Sequence, residues 1–352
     1  MAKMLMKGNE AIGQAAIEAG CRYFFGYPIT PQSEVPEYLS SALPKAGGVF
    51  VQAESEVAAI NMVYGAAAAG ARVMTSSSSP GIALKQEGIG YLANSGMPSV
   101  IVNMMRGGPG LGTIQPGQAD YNMTVKGGAN GDYHTVVYAP ANVQESVDMV
   151  MKAFDIADFY GTPVMILADG LIGQMMEPVE FNYKPCKDLA EKTWALSGKG
   201  DRDRNRVINL VIQPEECEEW NHQHQAKYKK IEEAEQEWEE YKLDDAEFAF
   251  VSYGTSSRIV RSAVRKLREA GFKVGMLRLK TLWPYPQKAF DKIDSSIKKY
   301  LAVEMSVGQM VPDIAYACND RNKVLFYGRT GGMVPTVDEI IEFGKKSMGG
   351  DC

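Results

Sequence analysis

The sequence contains few of the side chains that hold metal ions. Its 352 residues include three histidines and five cysteines. The cysteines are widely scattered and show neither a C-x-x-C motif nor another spacing typical of a zinc site or an iron–sulfur cluster. Three histidines are also too few for a multi-histidine metal centre. We therefore predict that the chain binds no metal through its own side chains, and that any metal–sulfur chemistry comes from another chain.

Long apolar runs and an excess of positive charge are missing as well. No run approaches the roughly 18 apolar residues that a membrane-spanning helix needs, and the start of the chain turns polar at Asn9. We therefore predict neither a membrane span nor a signal peptide, and expect a cytoplasmic protein. The 37 Lys and Arg against 43 Asp and Glu give a net charge of −6. This charge argues against general binding to nucleic acid or to an anionic membrane.

Hydrophobic residues make up 45% of the chain, and in its first half they form short β-rich runs that alternate with helical stretches. This alternation is typical of a doubly wound α/β domain, whose parallel sheet is covered by helices on both faces. In such a domain, ligands bind beyond the carboxyl ends of the strands. A first helix is expected between an N-cap at Asn9 and a C-terminal cap at Gly20. The predicted strands are 22–25, 49–52, 72–75, 99–104, 135–138 and 163–167, and two further predicted helices are 55–69 and 143–160.

The same alternation returns after residue 247 and predicts a second, smaller α/β domain. A stretch rich in Lys, Asp and Glu separates the two domains. The predicted limits are 1–170 for the first domain, 171–246 for the connector and 247–345 for the second domain. Strands are expected in the second domain at 248–253, 273–279, 300–304 and 323–327, with a helix at 257–270.

The connector contains the most acidic part of the chain. Residues 215–247 carry thirteen acidic residues against four lysines, a net charge of −9. Aromatic and apolar side chains recur there at every third or fourth position, which predicts one charged helix of roughly seven turns with a single aromatic stripe. Such a helix either lies on its own domain or binds a partner subunit. The stripe consists of Trp220, His224, Tyr228, Ile231, Ala234, Trp238 and Tyr241.

Two candidate site segments, Gly26–Pro31 and Ser55–Glu56, follow predicted strands. Two prolines three residues apart make the first segment rigid and leave Thr30 between them, so it is either a ligand-contacting loop or a stiff turn. Ser55 suits the N-cap of the next helix, which puts Glu56 in the first turn. Capping alone accounts for Glu56. The helix that follows is apolar on nearly every face, however, and a buried carboxylate at its start needs a partner.

Two further segments also end predicted strands. Ser76–Ser79 offer hydroxyl groups ahead of a helix, which suits an anion or a polar cofactor ring but is also typical of an ordinary loop. Arg106 begins a glycine-rich loop that continues to Asp120. Its glycines match neither a phosphate-binding P-loop nor a dinucleotide fingerprint. An arginine there can bind a carboxylate through two parallel hydrogen bonds or form a surface ion pair, and the glycine-rich continuation favours a loop that closes over a ligand.

Taken in order, these segments resemble the α subunit of 2-oxoacid:ferredoxin oxidoreductases, thiamine diphosphate enzymes that oxidatively decarboxylate 2-oxoacids onto coenzyme A. The resemblance covers nearly the whole chain. It implies a thiamine diphosphate pyrimidine-binding (PYR) domain up to about residue 170, and a transketolase C-terminal-like domain from about residue 248 to 345. The motifs that carry it are Gly8–Ile12, Tyr27–Pro31, Ser55–Glu56 followed by Gly65–Gly70, Thr75–Gly81, and Arg106–Pro109.

The resemblance implies roles for individual residues. Glu56 matches the glutamate that contacts N1′ of the cofactor's pyrimidine ring. Thr30 and Arg106 match groups on the substrate side, aimed at the carboxylate and carbonyl of the 2-oxoacid. The residues implied to line the cavity and contact the cofactor are Tyr27, Pro28, Ile29, Ser76, Ser77 and Ser78, with Ser79 beside them.

The resemblance also implies partner chains. This sequence has no Gly-Asp-Gly motif followed by an asparagine, the pattern expected where Mg²⁺ holds the cofactor's diphosphate. The family implies a β subunit that brings the diphosphate and Mg²⁺ site together with an iron–sulfur cluster. A γ subunit and a ferredoxin-like δ subunit complete the implied assembly, with ferredoxin as electron acceptor and coenzyme A as cosubstrate. The chain alone is then expected to be inactive.

The glycine-rich loop carries the resemblance to one branch of the family. Residues 107–120 are most similar to enzymes for branched-chain 2-oxoacids, which implies 3-methyl-2-oxobutanoate as substrate, with 2-oxoglutarate as the alternative. Two other functions stay open: the β chain of a lipoamide-dependent 2-oxoacid dehydrogenase, and a non-catalytic binding protein on the same scaffold. The Tyr27–Pro31 motif and the long acidic segment fit the lipoamide-dependent enzyme poorly.

Overall fold

The structure, a computed structural model, describes residues 3–293 and 295–349. Its strands are β1 Met4–Lys7, β2 Tyr23–Gly26, β3 Val49–Gln52, β4 Val73–Ser77, β5 Ser99–Met105, β6 Val136–Tyr138, β7 Pro163–Asp169, β8 Met176–Val179, β9 Trp238–Tyr241, β10 Phe248–Ser252, β11 Val274–Leu279, β12 Thr281–Trp283, β13 Lys299–Glu304 and β14 Val324–Gly328. Its helices are α1 Gly8–Glu18, α2 Glu34–Lys45, α3 Glu56–Ala68, α4 Ser79–Asn94, α5 Tyr121–Val125, α6 Val143–Tyr160, α7 Gly170–Gln174, α8 Pro214–Ala234, α9 Gly254–Glu269, α10 Gln287–Ile293, α11 Val311–Ala317 and α12 Val337–Ser347.

The larger sheet has seven strands in the order β12-β6-β7-β5-β4-β2-β3. Six of them are parallel, and β12 pairs antiparallel with β6 at the edge. The central strands β5 and β7 are buried at every residue and rich in Val, Ile and Met, as parallel strands covered on both faces usually are. Helices α1, α2 and α6 pack as one group, and α3 packs with α4. The predicted doubly wound α/β fold is confirmed.

The smaller sheet has five strands in the order β14-β13-β10-β11-β9. Four are parallel, and β9 is antiparallel to β11. Helices α9 and α12 pack together against this sheet. The apolar side chains between them form a separate core, which includes Phe250, Val264, Leu267, Leu301 and Ile340. The prediction of a second, smaller α/β fold in this half of the chain is therefore confirmed.

The acidic segment differs from its prediction. Helix α8 ends at Ala234, and the last two positions of the predicted stripe, Trp238 and Tyr241, begin and end the strand β9. This strand pairs antiparallel with Met276–Leu279 of β11 along its whole length, at the edge of the smaller sheet. The helical prediction was wrong here because pairing with a distant strand overrides a local 3.6-residue pattern.

Helix α8 lies on its own chain. The indole nitrogen of Trp220 donates to Oδ1 of Asn94 at 3.0 Å, and Nε2 of His224 lies 2.9 Å from the backbone oxygen of Asn94. Tyr228 and Ile231, further along the stripe, are buried. The first of the two alternatives for this helix therefore describes the structure.

Several features were not expected from the sequence. β1 and β8 form a separate antiparallel pair, and β12 crosses from the second half of the chain to the larger sheet. Helix α1 begins at Gly8 with Lys7 as its N-cap, so the predicted cap at Asn9 was wrong. The domain limits at residues 170 and 246 stay a prediction. No helix among the described residues is long and apolar enough to cross a membrane.

Candidate active site

The four candidate segments meet at one edge of the larger sheet. The neighbouring strands β2, β4 and β5 are parallel, so their carboxyl ends lie side by side. Gly26–Pro31 follows β2, Ser76–Ser79 spans the end of β4, and Arg106 follows β5. Glu56 begins α3, directly after the adjacent strand β3. This is the edge at which doubly wound domains bind ligands.

Glu56 lies in the first turn of α3, as the sequence predicts. Oγ of Ser55 accepts a hydrogen bond from the backbone nitrogen of Ala58 at 3.2 Å and caps the helix. Glu56 is 7% exposed, and no described residue gives its carboxylate a hydrogen bond or an ion pair. A carboxylate at this depth needs a donor. The site therefore has an acceptor ready for a polar group that the chain does not itself provide.

Gly81 makes room for that carboxylate. A Cβ atom at Gly81 would lie 2.6 Å from Oε1 of Glu56 and 2.2 Å from Oγ of Ser77. Both distances are shorter than van der Waals contact, so any larger residue would displace the carboxylate or the hydroxyl. The glycine in the Thr75–Gly81 motif is thus explained by the close approach of helices α3 and α4.

The serine segment is buried along its whole length. Oγ of Ser76 donates to Oε1 of Gln32 at 2.5 Å, and Nε2 of Gln32 donates to the backbone oxygen of Tyr27 at 3.2 Å. Gln32 therefore links the end of β4 to the rigid Tyr27–Pro31 loop. The hydroxyls of Ser77 and Ser78 are buried without a hydrogen-bond partner. Like Glu56, they are polar groups that a polar ligand ring could satisfy.

Thr30 and Arg106 are brought together, but in a way that the sequence does not predict. Nη1 of Arg106 donates to the backbone oxygen of Thr30 at 3.0 Å, and the Thr30 side chain is exposed. Arg106 itself is 7% exposed, and its Nε has no hydrogen-bond partner. The guanidinium is therefore buried and fixed at one end, with a donor still available.

Asp120 is a site residue that the sequence analysis did not identify. Its Oδ2 accepts hydrogen bonds from Oγ of Ser79 at 2.6 Å and from Nδ2 of Asn103 at 2.9 Å. Burial raises the pKa of Asp120 above its usual value, although these hydrogen bonds and the charge of Arg106 act in the opposite direction. In the sequence, the feature that could have pointed to Asp120 is its position at the end of the glycine-rich loop.

The glycine-rich loop is attached to the second half of the chain through Gln118. Its Nε2 donates to the backbone oxygen of Tyr253 at 2.9 Å, and its Oε1 accepts from Oγ of Ser256 at 2.6 Å and from the nitrogen of Met305 at 2.9 Å. Gln118 is fully buried. The loop itself borders a cavity of about 730 Å³, lined among others by Ser79, Gly107, Asp120, Ser306 and Thr330.

These residues fit the pyrimidine end of thiamine diphosphate. The Glu56 carboxylate and the Ser77 hydroxyl both lie next to Gly81, and the Ser77 and Ser78 hydroxyls and Nε of Arg106 are buried without a hydrogen-bond partner. Among residues 3–293 and 295–349, no group of three or more His, Cys, Asp or Glu side chains is placed to hold a metal ion. The arrangement can accept a hydrogen bond from a ring nitrogen and donate to an anionic group near Arg106.

Comparison with known proteins assigns the chain to a family. Residues 14–242 match the family described as "Pyruvate flavodoxin/ferredoxin oxidoreductase, thiamine diP-bdg". The chain belongs to this oxidoreductase family. Residues 246–340 match the "Pyruvate:ferredoxin oxidoreductase core domain II". The resemblance to 2-oxoacid:ferredoxin oxidoreductases that the sequence motifs indicated is confirmed.

Full-length relatives of this oxidoreductase family are similar along the whole chain. Ketoisovalerate oxidoreductase subunit VorB of Methanothermobacter thermautotrophicus is 48% identical over 97% of this chain and 97% of its own length. 2-Oxoglutarate synthase subunit KorA of Methanocaldococcus jannaschii is 35% identical over 95% of this chain and 97% of its own length. Both relatives are named as subunits, which implies partner chains in those enzymes.

Solved structures support the same assignment. A 2-oxoglutarate:ferredoxin oxidoreductase from Magnetococcus marinus, solved with 2-oxoglutarate, coenzyme A and succinyl-CoA, superimposes with a TM-score of 0.90 at 28% identity. The match covers 99% of this chain and 65% of that chain, so the oxidoreductase from Magnetococcus has a further third of its length. A split-gene transketolase superimposes with a TM-score of 0.61 at 13% identity, over 98% of each chain, which shows a shared fold.

Proposed function

We propose that this chain is the α subunit of a 2-oxoacid:ferredoxin oxidoreductase that converts 3-methyl-2-oxobutanoate, also called ketoisovalerate, to an acyl-CoA and CO₂. The observation that carries the proposal is the difference between two identities over nearly equal lengths. The chain is 48% identical to a ketoisovalerate oxidoreductase subunit and 35% identical to a 2-oxoglutarate synthase subunit. The buried, unpaired Glu56 supports the cofactor chemistry of this function.

In the proposed function, Glu56 accepts a hydrogen bond from N1′ of the thiamine diphosphate pyrimidine ring. When bound, the cofactor supplies the carbon nucleophile that attacks the 2-oxoacid carbonyl. The chain's own contribution is to hold a proton between Glu56 and the ring nitrogen in a site with little water, where a hydrogen bond to a charged group is stronger than in solution. The residues that would line the cavity around the ring are Ser76, Ser77, Ser78, Tyr27, Pro28 and Ile29.

On the substrate side, Arg106 binds the 2-oxoacid carboxylate. Its Nη1 is already held by the backbone oxygen of Thr30, so the guanidinium is fixed before substrate arrives. An arginine that is positioned in advance loses less side-chain entropy on binding. The exposed Thr30 hydroxyl lies on the same rigid loop and is proposed to contact the substrate directly.

The proposed enzyme needs other chains. A β subunit carrying the diphosphate and Mg²⁺ site and an iron–sulfur cluster would complete the active site, with γ and ferredoxin-like δ subunits, in the cytoplasm. Electrons would leave to ferredoxin, and coenzyme A would accept the acyl group. In this assembly residues 1–170 act as the PYR domain, 171–246 as the connector and 247–345 as the transketolase C-terminal-like domain.

A comparison of three substrates in the reconstituted complex tests the proposal. Reduction of a viologen dye is measured with coenzyme A and, in turn, 3-methyl-2-oxobutanoate, 2-oxoglutarate and pyruvate. We expect kcat/KM to be highest with the branched-chain acid. A clear preference for 2-oxoglutarate would contradict the proposed branched-chain substrate. Transfer of the acyl group and electrons to a lipoyl carrier, with no reduction of ferredoxin, would favour the lipoamide-dependent alternative. If the complex with Glu56→Ala turns over substrate as fast as the unchanged complex, the alternative that this chain is a non-catalytic binding protein is favoured.

A further inference from the structure

Lys85 is a buried lysine to which the proposed chemistry gives no role. It lies on α4, four residues after Gly81, so the two positions share one face of that helix. Gly81 is the position at which the missing side chain makes room for the carboxylate of Glu56. Lys85 therefore lies on the face of α4 that is turned towards Glu56, one helical turn further along. Its side chain is 0% exposed.

The hydrogen bonds of the Lys85 ammonium replace only part of the hydration that it loses on burial. Nζ donates a hydrogen bond to Oγ1 of Thr75 at 3.2 Å, and the described residues offer it no second acceptor and no carboxylate in direct contact. An ammonium can donate three hydrogen bonds, and a buried charge without full pairing is costly. Burial lowers the pKa of Lys85 to about 8, and the negative charge of Glu56 acts in the opposite direction. An apolar residue would pack here at lower cost.

The elements next to Lys85 bring few other ionisable groups to it. Helix α3 contributes Glu56 and Tyr64, and the Tyr64 hydroxyl shares a hydrogen bond with Oγ of Ser95. Strand β4 contributes Thr75 and otherwise only serine hydroxyls and apolar side chains. Of these neighbours, Glu56 is the acidic one.

The remaining neighbouring elements place their charges elsewhere. Strand β5 contains no ionisable side chain and is followed by Arg106, which is bound to the Thr30 loop. Strand β7 ends in Asp169, which caps helix α7. On α4 itself, Glu87 pairs with Tyr91 on the exposed face. At the start of α4, the carboxylate of Asp120 is bound by Ser79 and Asn103. The charge that acts on Lys85 is that of Glu56.

We propose that Lys85 is a positioning residue that acts on the cofactor through Glu56: its buried positive charge stabilises the negative charge of the Glu56 carboxylate, so that the shared proton stays on the pyrimidine nitrogen. This inference rests on the proposed contact between Glu56 and N1′. The proton balance is simple, because one proton lies between a carboxylate oxygen and a ring nitrogen. A nearby cation stabilises the form in which the carboxylate is negative.

The test uses Lys85→Met in the whole reconstituted complex. Methionine has a similar length and no charge, so the substitution removes the field and keeps the packing. Without the cation, the negative charge of the Glu56 carboxylate loses this stabilisation. We expect the acidic limb of the pH profile of kcat to move up by roughly one pH unit. Thiamine diphosphate affinity, measured by fluorescence titration, should fall about tenfold near pH 6 and less near pH 8, while KM for the 2-oxoacid stays the same.

Three further variants complete the experiment. Lys85→Arg keeps the charge, so we expect a profile close to that of the unchanged complex. Thr75→Val removes the hydrogen bond that holds the ammonium and should give a smaller shift in the same direction; it also carries the test if Lys85→Met does not assemble. Lys45→Met removes the same charge at an exposed end of α2 and should change neither the profile nor the affinity.

The outcomes separate this inference from the proposed function. If Glu56→Gln loses activity and affinity while Lys85→Met and Thr75→Val leave both pH dependences unchanged, the role of Lys85 is wrong and the proposed function stands. If Glu56→Gln keeps wild-type activity and cofactor affinity, the proposed contact itself fails. A Lys85→Met complex that loses affinity equally at every pH would indicate a packing role and would also overturn the inference.

Discussion

Nη1 of Arg106 donates a hydrogen bond to the backbone oxygen of Thr30 across 3.0 Å. The contact joins the glycine-rich loop after β5 to the rigid loop after β2, two strands that are separated in the sheet by β4. The hydrogen bond fixes the direction of the guanidinium. Its acceptor is a backbone atom, so a side-chain substitution at Thr30 does not remove it. Substitutions at Arg106 and at Thr30 are therefore expected to differ in their effects.

Arg106→Lys should lower kcat/KM for the 2-oxoacid by about ten- to a hundredfold. A lysine keeps the charge but loses the planar fork that can hold both the Thr30 carbonyl and a carboxylate. Such a factor corresponds to about 1.4–2.8 kcal/mol of transition-state stabilisation. Steady-state kinetics of the complex measure it, with Arg265→Lys on the exposed face of α9 as a matched control. Equal kinetics in the two variants would contradict a substrate role for Arg106.

Gly81→Ala should weaken cofactor binding at least tenfold. The added Cβ would lie 2.6 Å from Oε1 of Glu56, so the carboxylate must move from the position in which we propose that it contacts the cofactor ring. The overpacking should also destabilise the chain by about 1–3 kcal/mol. Thiamine diphosphate titration and thermal unfolding measure the two effects.

Gly65→Ala on the neighbouring helix α3 is the control for that substitution. A Cβ atom at Gly65 meets nothing within 4 Å, so alanine there should stabilise the helix by about 0.5–1 kcal/mol and leave cofactor affinity unchanged. If both variants bind the cofactor like the unchanged complex, the close approach at Gly81 has no functional meaning.

The local part of the fold could be predicted from the sequence. The parallel strands and the helix at Glu56 depend on apolar runs, on a serine cap and on the alternation of strand and helix, which are all visible within short windows. The convergence of the four segments followed from one rule about the carboxyl ends of parallel strands. These are statements about elements and their order, which local chemistry controls.

The remaining features depend on contacts between distant residues. The partners of Gln118 lie 135 to 187 positions further along the chain, and a glutamine in a glycine-rich loop shows no local pattern that announces a buried role. Asn9 was expected to cap α1, but its Nδ2 donates to the backbone oxygen of Pro31 at 2.8 Å and to Oε2 of Glu34 at 2.7 Å. The end of α8 at Ala234 has the same cause, since β11 provides the competing partner.

Gln118→Glu should loosen the attachment of the glycine-rich loop to the second half of the chain. The carboxylate cannot donate to the Tyr253 carbonyl and is buried, so we expect a loss of about 2–4 kcal/mol in the free energy of unfolding at neutral pH. Activity should fall with it, because Arg106 and Asp120 belong to the same loop. Gln115→Glu, at an exposed position of that loop, controls for the added charge. Equal thermal unfolding of both variants would contradict the attachment.

The burial of Glu304 should make the free energy of unfolding decrease as the pH rises. Burial raises the pKa of Glu304 to about 7, although hydrogen bonds from the Met310 nitrogen and the Ser306 hydroxyl act in the opposite direction. The folded chain therefore binds this proton more tightly than the unfolded chain does. The stabilising contribution is complete at pH values below the ordinary carboxyl pKa, decreases through the window up to about pH 7, and is absent above it.

Glu304→Gln removes the titration and keeps an acceptor for the Met310 nitrogen. The free energy of unfolding of the variant, relative to the unchanged complex, should therefore rise between pH 5 and pH 8, by an amount on the order of 2–3 kcal/mol for a shift of this size. Thermal unfolding of the complex across this range measures the difference, and Glu342→Gln, exposed on α12, should show no comparable rise. A constant difference between Glu304→Gln and the unchanged complex would mean that Glu304 stays ionised in the folded chain, held by the loop that follows β13.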